Sequence, residues 1–403
     1  MDGVVFNHNR ERRATWSDVE SAVDVLANIL SRLPAKELLQ FKTVSKLWYK
    51  LIKSFDSKKL QISRSREEPV YMIYPFMDVI TNMYLIDASG KLIEKVPLPN
   101  SENLSSLCMI CSYNGLVCFS SYPWLPYSMA DVIMTELEIR MCNPATREVR
   151  LIPKGSPSGE EIAIGVAFGL ISEYKIFRFF LHKSESEETV RSECEIYSSS
   201  TGTWKGLGTV EHCAMGAYHL FVNGKVYWFI SSEADSEIPG AILSVDMEEN
   251  FRFIPLPEEV CERSFLVDFE GCLALVAVYE YDALVNIWVL NDDGNIDWDL
   301  EYSHDIPFAS MVSIESVAVR KGRFFFVTTE HYFLYDPEEM AWWELRFDDE
   351  FEKISPVVFT YKESLLPCKV TELWVQKKRK TTSKEPEHRS DHLCLLSGNF
   401  AAR

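Results

Sequence analysis

No run of apolar residues in this chain approaches the roughly twenty that a membrane-spanning helix needs. The longest clean one is Cys272–Tyr279. The first thirty residues are broken by Arg10, Arg12, Arg13 and several acids, without the uninterrupted apolar core of a secretory leader. The expectation is a cytoplasmic or nuclear protein with no membrane partner. In that setting ten cysteines read as reduced thiols rather than a disulfide framework. Motifs of self-contained chemistry are missing too: there is no HExxH, no GxSxG, no phosphate-cradling glycine loop and no EF-hand series. The pair Cys108 and Cys111 has the spacing of half a zinc site, but no second CxxC completes it, and residues three apart on a strand point to opposite faces. Acids are abundant, yet no pair stands out by context as the two carboxylates of a glycosidase. The reading is a chain with no catalytic residue, no metal and no cofactor of its own.

Cations are scarce as well, 41 Lys and Arg against 60 Asp and Glu, for a net charge of −19. The imbalance is local. Residues 1–66 hold 13 basic against 7 acidic side chains and residues 376–403 hold 7 against 3, whereas residues 67–375 hold 21 against 50. Such a field repels phosphate and argues against a nucleic-acid partner. It would steer a basic protein toward the middle of the chain, and it equally serves to keep a large β domain soluble.

What the chain does have begins at Val23–Ile52. Val44, Leu47, Trp48, Leu51 and Ile52 recur with helical period and predict one buried helical face, with Thr43 as its N-cap. Upstream, Val23, Leu26, Ala27 and Leu30 form one stripe and Ala22, Val25, Ile29 and Leu33 a second on the opposite side. Pro34 should end the first helix or open the next turn, and a short helix follows through Leu38, Leu39 and Phe41. Three short helices cannot bury two stripes, so the second stripe calls for another surface.

This stretch resembles an F-box, the motif by which substrate adaptors dock onto the Skp-family subunit of a cullin-based ubiquitin ligase. The match runs through Asp24, Val25, Ile29, Leu30, Arg32, Leu33, Pro34, Lys36, Leu38, Leu39, Phe41, Lys42, Val44, Ser45, Lys46, Trp48, Leu51 and Ile52. It departs at Ser21-Ala22, where the family usually has Leu-Pro. The resemblance implies an adaptor-binding face drawn from Val25, Ile29, Leu30, Leu33, Pro34, Leu38, Leu39, Phe41, Val44 and Trp48.

After a basic connector, Lys53 to Glu68, the texture turns to short runs of Val, Ile, Phe, Tyr and Trp between Gly, Asn, Asp and Pro turns. A weak repeat of four strands underlies it. Its return-strand positions are Ile93, Val149, Trp204, Phe251, Trp298 and Trp343, and Asn114-Gly115 and Asn223-Gly224 are hairpin turns within it. That period predicts a β-propeller, six blades by count, with residues 356–361 closing the ring against the first blade. The tryptophans of the repeated position are expected in inter-blade packing. Tyr122, Trp124 and Tyr127, in a loop rigidified by Pro123 and Pro126, are the candidate substrate contacts.

Residues 100–365 also resemble the F-box-associated, kelch-like domain of plant F-box proteins, in CSYNGLVCF, CNPATREVRLIP, FVNGKVYWF and ILSVDMEENFRFIPLP among other strings. The expected chain is thus mainly β with a small α module. Its parts are a flexible lead at 1–17, a three-helix F-box and connector at 18–66, a kelch-like propeller at 67–375, and a basic disordered tail at 376–403 in which Lys377–Lys380 could serve nuclear import. The resemblance implies a non-catalytic substrate-recognition adaptor, linked through a Skp-family subunit to a cullin-RING ligase and recruiting a protein substrate for degradation. The alternatives are an interaction protein in a Skp complex without cullin and, last, a propeller-fold hydrolase.

Overall fold

In the computed structural model of this chain the described residues are 16–65, 70–75, 82–87, 91–97, 108–121, 137–157, 160–169, 173–183, 190–210, 214, 219–231, 239–257, 260, 264–291, 296–307, 313–328, 331–345 and 356–369. The lead up to residue 15, the basic tail, and the candidate contacts Tyr122, Trp124 and Tyr127 fall outside them, whereas Trp16 and Ser17, expected in the flexible lead, already belong to the first helix.

Four helices come first: α1 (Trp16–Leu30), α2 (Ala35–Phe41), α3 (Lys46–Lys53) and α4 (Phe55–Ser65). The connector is therefore largely the fourth helix. Six four-stranded antiparallel sheets follow. Blade one holds β1 (Val70–Pro75), β2 (Asn82–Ile86) and β3 (Leu92–Pro97); blade two holds β4 (Cys108–Tyr113), β5 (Leu116–Ser120), β6 (Ile139–Asn143) and β7 (Glu148–Leu151). Blade three is β8 (Glu160–Phe168), β9 (Tyr174–Lys183), β10 (Val190–Ser198) and β11 (Thr203–Thr209), and blade four is β12 (Leu220–Val222), β13 (Lys225–Ser231), β14 (Pro239–Asp246) and β15 (Phe251–Pro255). Blade five is β16 (Ser264–Phe269), β17 (Cys272–Tyr279), β18 (Leu284–Asn291) and β19 (Asp297–Asp305), and blade six is β20 (Ile314–Arg320), β21 (Arg323–Thr328), β22 (Tyr332–Asp336) and β23 (Ala341–Leu345). The last strand, β24 (Pro356–Tyr361), pairs antiparallel with β1 from Val70↔Tyr361 to Pro75↔Pro356 and completes blade one. The inner strands β24, β4, β8, β12, β16 and β20 touch one another in cyclic order, so the ring is closed.

The core lies in the six seams between blades. Along β5, Leu116 and Cys118 face blade three while Val117 and Phe119 face blade one; along β21, Phe324 and Phe326 face blade five while Phe325 and Val327 face blade one. A strand buried on both faces has no reason to alternate apolar with polar residues, which is why these segments read as continuous apolar runs. Gly165 on β8 is required by this packing: a Cβ there would stand 2.0 Å from the Trp228 ring of blade four. Both predicted hairpins are present with the positive φ values their turn type requires, 49° and 80° at Asn114-Gly115 and 48° and 79° at Asn223-Gly224. Glu270-Gly271 and Lys321-Gly322 form the same turn in blades five and six.

Of the repeated return-strand tryptophans, Trp204 donates Nε1–H to the Pro153 carbonyl (2.7 Å) and Trp298 to the Pro255 carbonyl (2.8 Å), each latching its blade to the preceding one. Blade six differs. There Trp343 is 38 % exposed with Arg323 over its ring, and its neighbour Trp342 does the packing, stacked on Tyr335 at 4.3 Å.

Beyond β24 the chain continues as a buried strap through Ser364, Leu365, Leu366 and Cys368. Asn143, fully buried at the end of β6, holds it: the side-chain amide donates to the carbonyls of Ser364 (3.0 Å) and Leu366 (2.7 Å), while Oδ1 accepts from the N–H groups of Ala145 (3.0 Å) and Thr146 (3.3 Å). Tyr174 adds a hydrogen bond to the Cys368 carbonyl (2.9 Å), and Gly115 leaves the strap room, since a Cβ there would meet Ser364 at 2.5 Å. Replacing Asn143 by Ala removes the partner of four backbone groups, three of them buried. It should lower stability by on the order of 3 kcal/mol or more; a melting temperature within a degree of the parent would show that the strap is held by something else.

Candidate functional site

The helical module is built from two kinds of apolar residue that its sequence interleaves. Leu30, Ala35, Leu38 and Ile52 are buried in a small core, with Leu26, Leu33, Leu39, Phe41, Trp48 and Leu51 packed around it. Val25, Ile29, Val44, Leu47 and Tyr49 are exposed, at 58, 54, 58, 46 and 43 %. These five are among thirteen exposed large apolar side chains in the described residues, a concentration that the rest of the surface does not match.

Local signals set this geometry. Pro34, with φ −54° and ψ 148°, stands at the N-terminus of α2. Ser45, extended at φ −160° and ψ 163°, caps α3 by accepting from the Trp48 N–H (3.2 Å). The cap expected at Thr43 is thus two residues later; Thr43 donates its hydroxyl to the Gln40 carbonyl instead. Phe41 meets Trp48 edge to face at 5.5 Å. The helical face predicted from Val44 to Ile52 is divided: Trp48, Leu51 and Ile52 turn inward, and Val44 and Leu47 turn to the surface.

Of the ten residues attributed to the adaptor face, the structure places Val25, Ile29, Pro34 and Val44 on the surface. Leu33, Leu39, Phe41 and Trp48 are half-buried. Leu30 and Leu38, at 2 and 3 % exposure, are enclosed inside the chain and serve its own core. Leu47 and Tyr49 were not among the ten. Leu47 carried a legible signal, its helical spacing from Val44 and Leu51.

The module does not stand apart from the propeller. Ala145, in the β6–β7 turn, and Leu365 of the strap complete the helical core. Helix α4 sends Ile62 into the seam between blades two and three, Gln61 donates to the Glu363 carbonyl (3.2 Å), and Arg64 ties α4 to α1 through the Asn28 carbonyl (2.6 Å) and the Ser31 hydroxyl. Lys36 of α2 is paired with Glu94 of β3 and lies 3.8 Å from Glu363. The helices therefore cover the propeller face that carries the β4–β5 and β6–β7 turns. Strand β5 ends and β6 begins at the opposite end of the blade, where Ser120 pairs with Ile139.

Among the described residues, cysteine and histidine side chains come together at the seam of blades two and three. Cys111 and Cys118 are cross-strand partners in blade two, both buried, and His219, next to β12 of blade four, accepts from the Val166 N–H through Nε2 (3.1 Å). Burial would raise the Cys111 thiol, but interactions with Cys118 and His219 oppose it and pull it down. Burial and the neighbouring Cys111 push Cys118 well up. Buried thiols enclosed by apolar seams are structural rather than accessible nucleophiles. Among the described residues no three His, Cys, Asp or Glu side chains converge as a metal site.

Comparison with known proteins adds two family matches and a set of relatives. A model of the F-box domain matches residues 23–60, and a model of the F-box associated beta propeller domain matches residues 85–343. The chain is similar to F-box protein At5g49610 of Arabidopsis thaliana, at 25% identity over 86% of this chain and 97% of the relative. It is also similar to F-box protein At5g65850 of the same plant, at 26% identity over 73% of each chain, and to the putative F-box protein At3g52320, at 23% over 78% of this chain and 84% of the relative. A solved structure titled "Structure of YjhT" aligns with 62% of the chain and 86% of its own, at 11% identity and a TM-score of 0.39.

At the junction of helices and propeller, burial first and then the nearby Lys42 lower the Lys58 ammonium from its ordinary 10.5 to about 8, against the pull of Glu148. The penalty is fully present below about pH 8, where folded and unfolded chains both carry the charge, and is gone above 10.5, where neither does. Lys58→Met should therefore raise the melting temperature at pH 7, and the gain over the parent should shrink as the pH approaches 10.5. A gain that does not change with pH would show that lost packing or entropy, not the buried charge, sets the difference.

Proposed function

Because the chain belongs to the F-box proteins with an F-box-associated β-propeller domain, whose general role is that of non-catalytic substrate adaptors in Skp–cullin–F-box ubiquitin ligases, we propose that its helices dock a Skp-family subunit and its propeller recruits a protein substrate for ubiquitination. The observation that carries the reading is the exposure of Val25, Ile29, Val44 and Leu47 on a module whose own core already takes up Leu26, Leu30, Leu38, Trp48 and Ile52. An apolar face that the chain itself leaves uncovered suits a partner that buries it.

The substrate side of the reading follows from the same arrangement. Helices occupy one face of the ring, so a substrate held by the connections of the other face meets no competition from the ligase. Tyr122, Trp124 and Tyr127 belong to one of those connections and are the proposed contacts. The acidic middle of the chain favours a basic substrate through faster, electrostatically steered association. No bond is made or broken by this chain; its contribution is proximity, which raises the local concentration of substrate lysines near the charged ubiquitin carrier. Action in the cytoplasm or nucleus fits that role.

Two kinds of substitution separate docking from folding. Val25→Glu with Ile29→Glu alters only exposed side chains, so the melting temperature should hold while affinity for the Skp-family subunit falls at least about 100-fold, each buried aliphatic group being worth roughly 1.5–3 kcal/mol. Leu30→Ala should do the reverse in part, lowering stability by about 2–5 kcal/mol as a cavity opens beside Ala145 and Leu365. Undiminished co-purification of the double variant with the adaptor would refute the docking face.

A further inference from the structure

Between α4 and the turn-bearing face of blades two, three and four lies a cavity of about 1020 Å³, at the upper end of the size that holds a small molecule, roughly 300–1,000 Å³. Its floor is aromatic and comes from three blades. Tyr113 at the end of β4 stacks on Phe168 at the end of β8 with centroids 4.9 Å apart and an interplanar angle of 28°, and Phe221 of β12 meets Tyr113 edge-on at 4.7 Å. Tyr113 and Phe168 end their inner strands and Phe221 lies within the short β12; Phe168 is buried, while Tyr113 and Phe221 are only partly covered.

The helical wall presents Lys59, Ile62 and Ser63, spaced to share one face of α4. From blades three and four come Lys175 and Lys205, both bound to Glu249 (2.7 and 2.8 Å), and the acids Glu173 and Glu248. Three lysines and three glutamates thus line the cavity, a balance that does not suit a polyphosphate. Lys59 differs from the other two lysines in having no acidic partner among the described residues, and it stands on a helix whose neighbourhood is crowded with Lys42, Lys53 and Lys58.

We propose that this cavity binds a planar aromatic molecule bearing a single anionic group, its ring system against Tyr113, Phe168 and Phe221 and its anion toward Lys59, and that the bound molecule ties α4 to the propeller. Aromatic faces supply the stacking area, and one uncompensated ammonium across a largely apolar floor selects one negative charge. Because α4 forms one wall and the blades the other, a ligand there stabilises the relative placement of the two modules by mass action. The assignment stands on the cavity alone and does not depend on the adaptor reading.

The test uses the purified full chain and two fluorescent probes of nearly the same shape, anionic 8-anilinonaphthalene-1-sulfonate and uncharged N-phenyl-1-naphthylamine. Each should saturate a single site. Ser63→Trp, which puts bulk into the cavity from an exposed position on α4, should abolish both signals, and Phe221→Leu should weaken both about tenfold. Lys59→Glu should weaken the anionic probe at least tenfold and leave the uncharged one within twofold. Absence of single-site saturation, or binding that survives both Ser63→Trp and Phe221→Leu, would overturn the site. If Lys59→Glu affects the two probes equally, or neither, the anion preference is overturned. Adaptor co-purification, read separately, keeps failure of the cavity assignment distinct from failure of the docking face.

Discussion

The pairing of β24 with β1 is the contact on which the rest of the molecule depends. Every blade buries both of its faces against its neighbours, so a blade at an open end of the array would expose one apolar face and an inner edge to water. Six residue pairs, Val70↔Tyr361 through Pro75↔Pro356, join the two ends of the domain and remove that exposure. Their sequence separation makes the closure slow to find and cooperative once made, because loop entropy is spent before the seams on either side of blade one can form.

The strap that follows β24 extends this closure to the helices. Residues 362–369 leave the ring, run past Asn114-Gly115, are gripped by Asn143, and deliver Leu365 to the core formed by Leu30, Ala35, Leu38 and Ile52. The segment that completes the propeller thus also completes the helical module. Lys36 with Glu94 and Glu363, and Gln61 with the Glu363 carbonyl, reinforce the same junction from the helical side. The two modules share a core, so the texture change near residue 66 marks a change of secondary structure more than a free hinge.

That arrangement has a functional consequence. An adaptor that works by proximity gains from holding substrate and ligase in a defined relation, since every added degree of freedom dilutes the substrate lysines around the ubiquitin carrier. The helices cover the face of the ring that carries the β4–β5 and β6–β7 turns. The aromatic cavity beneath α4 lies where the relation between modules is set. Inside the ring, Cys111, Cys118 and His219 belong to the seams and contribute packing.

The F-box helices, the four-strand repeat, the six blades and the closing strand were all legible in the amino-acid sequence, because each rests on a local signal: helical spacing at Leu26–Leu30 and Trp48–Ile52, two-residue Asn-Gly turns, and short apolar runs such as Cys272–Tyr279. Glu270-Gly271 and Lys321-Gly322 adopt the same turn with first residues that do not advertise it, and there only the ring geometry imposes the positive φ. Helical spacing separated the stripe of Val25 and Ile29 from that of Leu26 and Leu30, since the two lie about 100° or more apart on one helix. It could not say that Leu30 and Leu38 are enclosed while Val44 and Leu47 are bare, because Ala145 and Leu365, which help to decide it, lie far away in the chain. The same limit hid Asn143 and the rings of Tyr113, Phe168 and Phe221. Sequence alone determined the elements and their order, through interactions between near neighbours; which apolar residues remain open to a partner was decided only when the closed ring brought a turn and a strap from distant parts of the chain against the helices.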